Sequence, residues 1–236
     1  MATNRPLGEQ TTPTSAPPSP SPPVDLPGKQ AVLAEPVAAT FSLCSPLAEH
    51  SLTNLPQIIS APYDPPPPGH EERHHGVDFA YYRDGKRPSI LGEAVQAVLP
   101  GIVAMSLNDR FPYGNALMIE TPGDDLPASL ASRLGLEQGE SLYILYAHLE
   151  LPSALQIGDS VQPCQTLGAA GQSGNAGVPH LHVETRLGPP GVTFQDMLFY
   201  NTRETPEQME NYVRWRTSGE FRHFDPMLLL SFEPDQ

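Results

Sequence analysis

The sequence predicts an all-β fold of mainly antiparallel strands, arranged as a barrel or a sandwich, with one or two short inserted helices. From residue 74 onward the apolar stretches are short and are separated by Gly, Asp, Asn and Pro, which is typical of many short strands. More than half of the 29 prolines lie in the first 68 residues. The remaining chain, about 165 residues, is long enough to bury a core.

Seven segments have the length and the boundaries of β-strands. Residues 141–149 show the pattern most clearly, because Leu142, Ile144 and Tyr146 alternate along the run. Alternation of this kind predicts a strand with distinct faces. The predicted strands cover residues 76–82, 94–99, 101–107, 116–120, 141–149, 165–170 and 180–185.

Two segments predict helices within this strand-rich chain. Residues 127–134 are followed by Gly135, which suits the position just after a helix end. A second helix is predicted over residues 205–217, with Thr205 as N-cap and Pro206 as its first residue.

The chain divides into three parts by composition. Residues 1–40 predict a disordered Pro/Ser-rich linker, since they are low in aromatic residues and show no hydrophobic period. Residues 41–69 predict an extended lead-in segment that packs on the domain, with short extended stretches at 38–44 and 55–60. Residues 70–236 predict the globular domain.

Charge and hydropathy exclude several classes of partner. The formal net charge is −14 and lysine occurs only at positions 29 and 86, so the basic surface expected for nucleic acid or anionic membranes is absent. The sequence contains no run of 18 apolar residues, the length that would predict a membrane span, and no signal-peptide pattern is visible. Because Pro/Ser/Thr-rich leaders often accompany exported proteins, we expect an extracytoplasmic protein whose export signal is missing from this sequence.

The two cysteines allow two interpretations. Cys44 and Cys164 are too few for a disulfide framework and do not form a CxxC metal pair. They are either two buried thiols or a single bridge that closes a loop of about 120 residues and stabilises the fold by about 3 to 5 kcal/mol. The redox compartment decides between them.

Short His- and Asp-containing motifs predict a metal site. A catalytic zinc usually takes three His or carboxylate ligands and leaves a fourth position for water. His74, Asp78 and one of the pair His180 and His182 match that count. Residues four apart on a straight strand stand about 13 Å apart, so the chain must bend between His74 and Asp78. Gly76 permits the bend, either as a bulge or at positive φ.

Further histidines supply acid/base groups. His180 and His182 project from one face of a strand, so one can bind the metal while the other stands beside it. His148 ends an alternating run, where a cleft can open. Unligated histidines near a metal-activated water can accept its proton and stabilise an oxyanion. The remaining histidines are predicted to be surface or packing residues: His50, His70, His75 and His223. Of these, His75 should lie on the strand face opposite to the ligand His74.

One alternative is excluded by the lysine count. Residues 155–174 look like the turn-and-strand pattern of biotinyl and lipoyl carrier domains. Those carriers need a modified lysine on a hairpin, and neither Lys29 nor Lys86 lies in that segment.

Four motifs together resemble those of the lysostaphin-like, or LytM-type, zinc metallopeptidases (metallopeptidase family 23), which cut peptide bridges in bacterial peptidoglycan. They are H-x-G-x-D from His74, Tyr-Ala-His ending at His148, Gly-Asp-x-Val from Gly158, and Ser-Gly-Asn leading to His-Leu-His-Val-Glu. The resemblance covers about residues 70–187, and the segment starting at Asp225 resembles the end of the family's domain. It implies two β-sheets with a groove over the active site, that is, a sandwich or barrel-sandwich hybrid.

The resemblance also implies residue roles. It assigns His74, Asp78 and His182 to one Zn²⁺ and makes His148 and His180 the catalytic pair. A sixth position is open to two interpretations. Glu184, two residues beyond His182, either orients that ligand through a hydrogen bond or is an ordinary solvent-facing carboxylate.

The implied activity is zinc-dependent endopeptidase cleavage of peptide cross-links or stem peptides of peptidoglycan. The alternative is a non-catalytic wall-binding module or an activator of other cell-wall hydrolases, as in relatives that lost metal ligands. Two insertions, at about 121–140 and 194–218, depart from the family pattern. We expect both to flank the groove and to shape substrate choice.

Overall fold

The computed structural model describes residues 41–67, 69–198 and 205–233. The linker predicted over residues 1–40 lies outside the described residues. Two 3-10 helices, Leu55–Ile58 and Gly123–Asp125, accompany the regular elements. The strands are β1 (Ile59–Ala61), β2 (Val77–Phe79), β3 (Ala94–Gln96), β4 (Gly101–Arg110), β5 (Gly114–Pro122), β6 (Ser141–Leu149), β7 (Ser160–Val161), β8 (Thr166–Ala169), β9 (Leu181–Gly188) and β10 (Arg222–Phe224). The α-helices are α1 (Ala128–Leu134), α2 (Pro206–Arg216) and α3 (Pro226–Leu230).

The strands form two antiparallel sheets. The larger has the order β1-β2-β9-β6-β5-β4-β7, and β10 also pairs with β9. The smaller consists of β3 and β8. This arrangement confirms the predicted all-β, mainly antiparallel fold with two sheets.

All seven predicted strands are present in the described part of the chain. The first is shorter than expected, because pairing with β9 is limited to Val77–Phe79. The extended stretch predicted at 55–60 is wrong for its first four residues, where Pro56 lies near the start of a 3-10 helix. Strands β7 and β10 were not predicted, since two or three residues are too few to show a period.

The two faces of the larger sheet differ in what packs on them. On the apolar face, Leu142, Ile144 and Tyr146 of β6 join a core cluster that also contains residues of α1 and α3. The opposite face carries His182 and Glu184 and is called the site face. There, Tyr143 and Leu145 of the same strand join a second cluster with residues of α2. The alternation of β6 therefore serves two packed layers, and every residue of this strand is buried.

The two insertions lie on opposite faces. Leu130 and Leu134 of α1, in the first insertion, belong to the cluster of the apolar face. As predicted, this helix ends at Gly135, which has φ 69°. Trp215 of α2, in the second insertion, belongs to the cluster of the site face. The expectation that both insertions flank the groove is therefore wrong for the first, because the apolar side of α1 packs behind the sheet.

The lead-in residues join the core. Leu47 and Leu55 are fully buried in the cluster of the apolar face. Cys44 and Cys164 form a disulfide, which settles the choice left open by the sequence. The bridge ties the lead-in to the segment before β8 across a separation of 120 residues.

The domain boundary at residue 70 remains a prediction. Among the described helices, none has the length and apolarity needed to cross a membrane.

Candidate active site

Three side chains of the site face meet beside β9. Asp78 in β2 pairs with His182 in β9, so the two side chains lie next to each other on one face. His74 precedes β2 and is held by two backbone hydrogen bonds to Asp64 in the lead-in segment. Its Nδ1 donates to the carbonyl oxygen of Pro62 at 2.8 Å, so Nε2 faces the other two side chains as an acceptor.

The three atoms that could bind a metal, one each from the trio His74, Asp78 and His182, lie close together. His74 Nε2 lies 3.1 Å from Asp78 Oδ1 and 3.1 Å from His182 Nδ1, and the last two atoms are 2.7 Å apart. Ligands of a tetrahedral zinc at its usual bond lengths lie about 3.3 to 3.5 Å apart. Two imidazole nitrogens and one carboxylate oxygen are donors that zinc prefers, and they need only a small outward shift. The trio therefore fits a zinc ion.

Gly76 makes this approach possible by its lack of a side chain. The chain bends at His75 and Gly76, as predicted. A Cβ at Gly76 would lie 2.3 Å from the carbonyl oxygen of Val183 and 2.8 Å from Cε1 of His182. Gly76 is not among the glycines with positive φ, so that alternative is wrong. The residue is needed because β9 passes too close for any side chain.

His148 stands beside the trio in an unusual backbone conformation. Its φ is 63°, in the left-handed region that few non-glycine residues adopt, and functional residues often carry such strain. The backbone N–H donates to the carbonyl oxygen of Tyr113 at 3.0 Å. Nδ1 donates to the carbonyl oxygen of Ser173 at 2.8 Å, which leaves Nε2 as an acceptor.

His180 occupies the neighbouring position. It lies just before β9 and is bridged to Gly171. Its Nδ1 donates to the carbonyl oxygen of Val178 at 2.8 Å, and Nε2 lies 3.7 Å from Asp78 Oδ1. The rings of His148 and His180 are 4.5 Å apart, centre to centre. All five predicted residues thus line one cleft of about 240 Å³.

Burial and neighbouring charge shift the ionisation of these groups. Burial, with smaller contributions from His182 and His180, lowers the pKa of His148 to about 3, so this imidazole is neutral at pH 7. Burial opposes ionisation of Asp78, but its contacts with His182 and His74 hold its pKa well below the usual value. Burial likewise opposes a charge on His182, yet the two carboxylates beside it raise its pKa to about 9.

Glu184 lies at the base of the site and is fully buried, which contradicts the solvent-facing alternative. Its Oε1 lies 3.1 Å from His182 Nε2, on the side of the ring opposite to the trio. Although burial opposes ionisation, Arg216 and Arg186 hold the pKa of Glu184 well below its usual value. The donors around this carboxylate are Tyr113 Oη, Arg216 Nη1, Trp215 Nε1, Arg186 Nη2 and His182 Nε2, at 2.8 to 3.1 Å.

Several of these partners are not indicated by any pattern in the sequence. Arg216 lines the cleft and contacts Glu184, but no spacing links it to the histidine motifs. The only signal for this region was the capped helix with the chain's single tryptophan. His75 is a buried packing residue, as one of its two predicted roles allowed, and accepts a 2.7 Å hydrogen bond from Arg186. Its predicted position on the strand face opposite to the ligand is wrong, because it lines the same cleft as His74. His50 is also a packing residue, with Nδ1 2.8 Å from Glu93.

Comparisons with known proteins found solved structures of low sequence identity and one family model. One solved structure, a mutant of the catalytic domain of prophage-encoded M23 protein EnpA from Enterococcus faecalis, is 22% identical over 58% of this chain and 85% of that chain, with a TM-score of 0.40. The catalytic domain of lysostaphin, an antimicrobial peptidase from Staphylococcus simulans, is 21% identical over 78% of this chain and 99% of that chain, with a TM-score of 0.44.

A zinc-containing peptidase from Vibrio cholerae is 20% identical over 55% of this chain and 33% of that chain, with a TM-score of 0.37. No curated protein matches the sequence. The family model described as "Peptidase family M23" matches residues 72–193, which is more than half of the chain. The protein therefore belongs to peptidase family M23.

Proposed function

We propose that the protein is a zinc-dependent endopeptidase that hydrolyses peptide cross-links or stem peptides of bacterial peptidoglycan. The observation that carries the proposal is the convergence of three ligand atoms beside two histidines whose Nδ1 atoms are each hydrogen-bonded to a backbone carbonyl. Membership of family M23 supports peptidase activity. A wall substrate agrees with an extracytoplasmic location, which is part of the proposal.

His74, Asp78 and His182 would hold the zinc ion. When bound, zinc polarises a peptide carbonyl and lowers the pKa of a coordinated water. Glu184 would fix the orientation of His182, because its carboxylate accepts from Nε2 and leaves Nδ1 toward Asp78.

His148 and His180 would take part in proton transfer during peptide hydrolysis. Each has its Nδ1–H committed to a backbone carbonyl, so each can accept a proton only at Nε2. One would take the proton of the attacking water and pass it to the leaving amine. The other, once its own Nε2 carries a proton, would donate a hydrogen bond to the negatively charged oxygen of the tetrahedral intermediate.

The experiment is digestion of cell-wall sacculi of known composition. We expect release of peptide fragments by the purified protein, loss of that release with a chelator, and recovery when zinc is restored. Mass spectrometry of the fragments identifies the bond that is cut. Zinc binding without cleavage would replace the proposal with a wall-binding or activating role, and absence of both would refute it.

A further inference from the structure

We propose that the last turn of α2 is a clamp that holds the two chain segments carrying the metal ligands, and that Arg216 and Trp215 are positioning residues for zinc. The clamp consists of Tyr212, Trp215 and Arg216. The inference rests on the proposed zinc site. It adds that an inserted helix, outside all the histidine motifs, sets the affinity of that site.

Arg216 bridges two carboxylates on different segments. Its Nη1 lies 2.9 Å from Glu184 Oε1, and its Nη2 lies 3.0 Å from Glu71 Oε1. The Arg216 side chain is 10% exposed and that of Glu184 is fully buried, so this pair is shielded from water, whereas the Glu71 side chain is 36% exposed. Tyr212 adds a short hydrogen bond from its hydroxyl to the same oxygen of Glu71.

Each carboxylate lies on the same chain segment as a proposed metal ligand. Glu71 lies three residues before His74 on the segment that enters the site. Glu184 lies two residues after His182 and contacts its Nε2. One guanidinium therefore fixes the separation between the two segments, and a planar fork is suited to join two carboxylates in this way.

Trp215 adds a second attachment to the same carboxylate. Its Nε1–H donates to Glu184 Oε2 at 2.8 Å, while its ring packs edge-on against Phe194 at 5.7 Å. The guanidinium of Arg186 lies 4.6 Å from the ring centre. The indole is fully buried, so this hydrogen bond is protected from competition with water.

The coupling must act in both directions. An 11-residue helix is marginal by itself, so α2 depends on its packing and on these ionic contacts. If α2 strengthens zinc binding by holding Glu184 and Glu71, bound zinc must stabilise the docked helix by the same free energy.

The first experiment measures zinc affinity by competition with a chromophoric chelator. We expect Arg216→Gln to raise the zinc dissociation constant about tenfold, at the low end of the effect of losing a residue that supports a ligand. Arg216→Lys should recover part of the affinity, because one ammonium group reaches one carboxylate. The matched control is Arg214→Gln on the same helix, since Arg214 pairs with exposed Glu220 at 2.7 Å and should leave zinc affinity unchanged.

Trp215→Phe is the second variant, because it keeps an aromatic ring in the cluster while it removes the N–H donor together with part of the indole ring. We expect a smaller loss of zinc affinity than for Arg216→Gln. If Arg216→Gln does not fold, Trp215→Phe decides: weaker zinc binding supports the clamp, and wild-type affinity overturns it.

The second experiment is hydrogen exchange of the wild-type protein with and without zinc. The backbone amides of α2 after Pro206 should gain protection on zinc binding, whereas those of α1 on the apolar face should not. A folded Arg216→Gln protein with wild-type zinc affinity, or equal protection of α2 with and without zinc, would overturn the clamp. Failure of the wild-type protein to bind zinc would instead refute the proposed function.

Discussion

The apolar face and the site face of the larger sheet are built from alternate residues of the same strands but are stabilised differently. On the apolar face, Val183 and Leu187 of β9 pack into a mainly aliphatic cluster. On the site face, His182, Glu184 and Arg186 of the same strand are buried with their charges paired. The comparison teaches that one strand supplies the hydrophobic core and the polar site at once.

The buried charges of the site face are paired with residues from distant parts of the chain. Buried charges require partners, and Glu184 finds them in Arg216, 32 residues away, and Tyr113, 71 residues away. Apolar packing makes no such demand, since other apolar side chains of similar volume are tolerated at small cost. Perturbing the apolar face should therefore change stability alone, whereas perturbing the site face should change zinc binding or catalysis.

The largest expected effect separates chemistry from metal binding within the site face. His180→Ala should lower kcat/KM for peptide cleavage by about 10² to 10⁴-fold, the range for loss of a general acid or base. Zinc content measured by atomic spectrometry should stay at the wild-type value, because His180 is outside the trio. Loss of zinc from this variant would contradict the placement of His180 outside the ligand trio.

The next effect tests the apolar face. Leu130→Ala in α1 removes a fully buried side chain and should lower the free energy of unfolding by about 2 to 5 kcal/mol, measured by denaturant titration. The zinc dissociation constant of the folded variant should equal that of the wild type. A weaker zinc site in this variant would contradict the separation of the two faces.

A smaller effect tests the support of the metal ligand. Glu184→Gln keeps the shape of the side chain but removes the charge that orients His182, so zinc binding should weaken about 10 to 100-fold. Chelator competition measures the change, and Leu130→Ala is the control for a loss of stability without loss of affinity. Wild-type zinc affinity in a folded Glu184→Gln protein would remove Glu184 from the account.

The smallest effect concerns the contact between β9 and the bend before β2. Gly76→Ala should lower the free energy of unfolding by about 1 to 3 kcal/mol, because the new methyl group overlaps the Val183 carbonyl. Gly177→Ala is the matched control, since a Cβ there has no neighbour within 4 Å. Equal thermal unfolding curves for the two variants would show that the close approach at Gly76 is not required.

Local patterns predicted what depends on neighbours along the chain. The seven strands and helices α1 and α2 follow from alternation, caps and glycine positions. The ligand trio was predicted from spacing together with the family resemblance, and the structure brings those residues together. Strands as short as β7 carry too little pattern to be recognised.

The remaining features depend on contacts across the fold. Arg216 and Glu71 are 145 residues apart, and nothing local indicates that they meet. The face on which α1 packs was predicted incorrectly, because the position of an insertion in sequence does not specify the side of the sheet that it covers. The disulfide was undecided, because two cysteines alone do not reveal their distance.

Zinc titration of the metal-free protein tests the central claim most directly. Calorimetry should give one zinc per chain for the wild type, and His182→Ala should lose that binding because Nδ1 of His182 supplies one of the three ligand atoms. No zinc binding by the wild type, or undiminished binding by His182→Ala, would contradict the account.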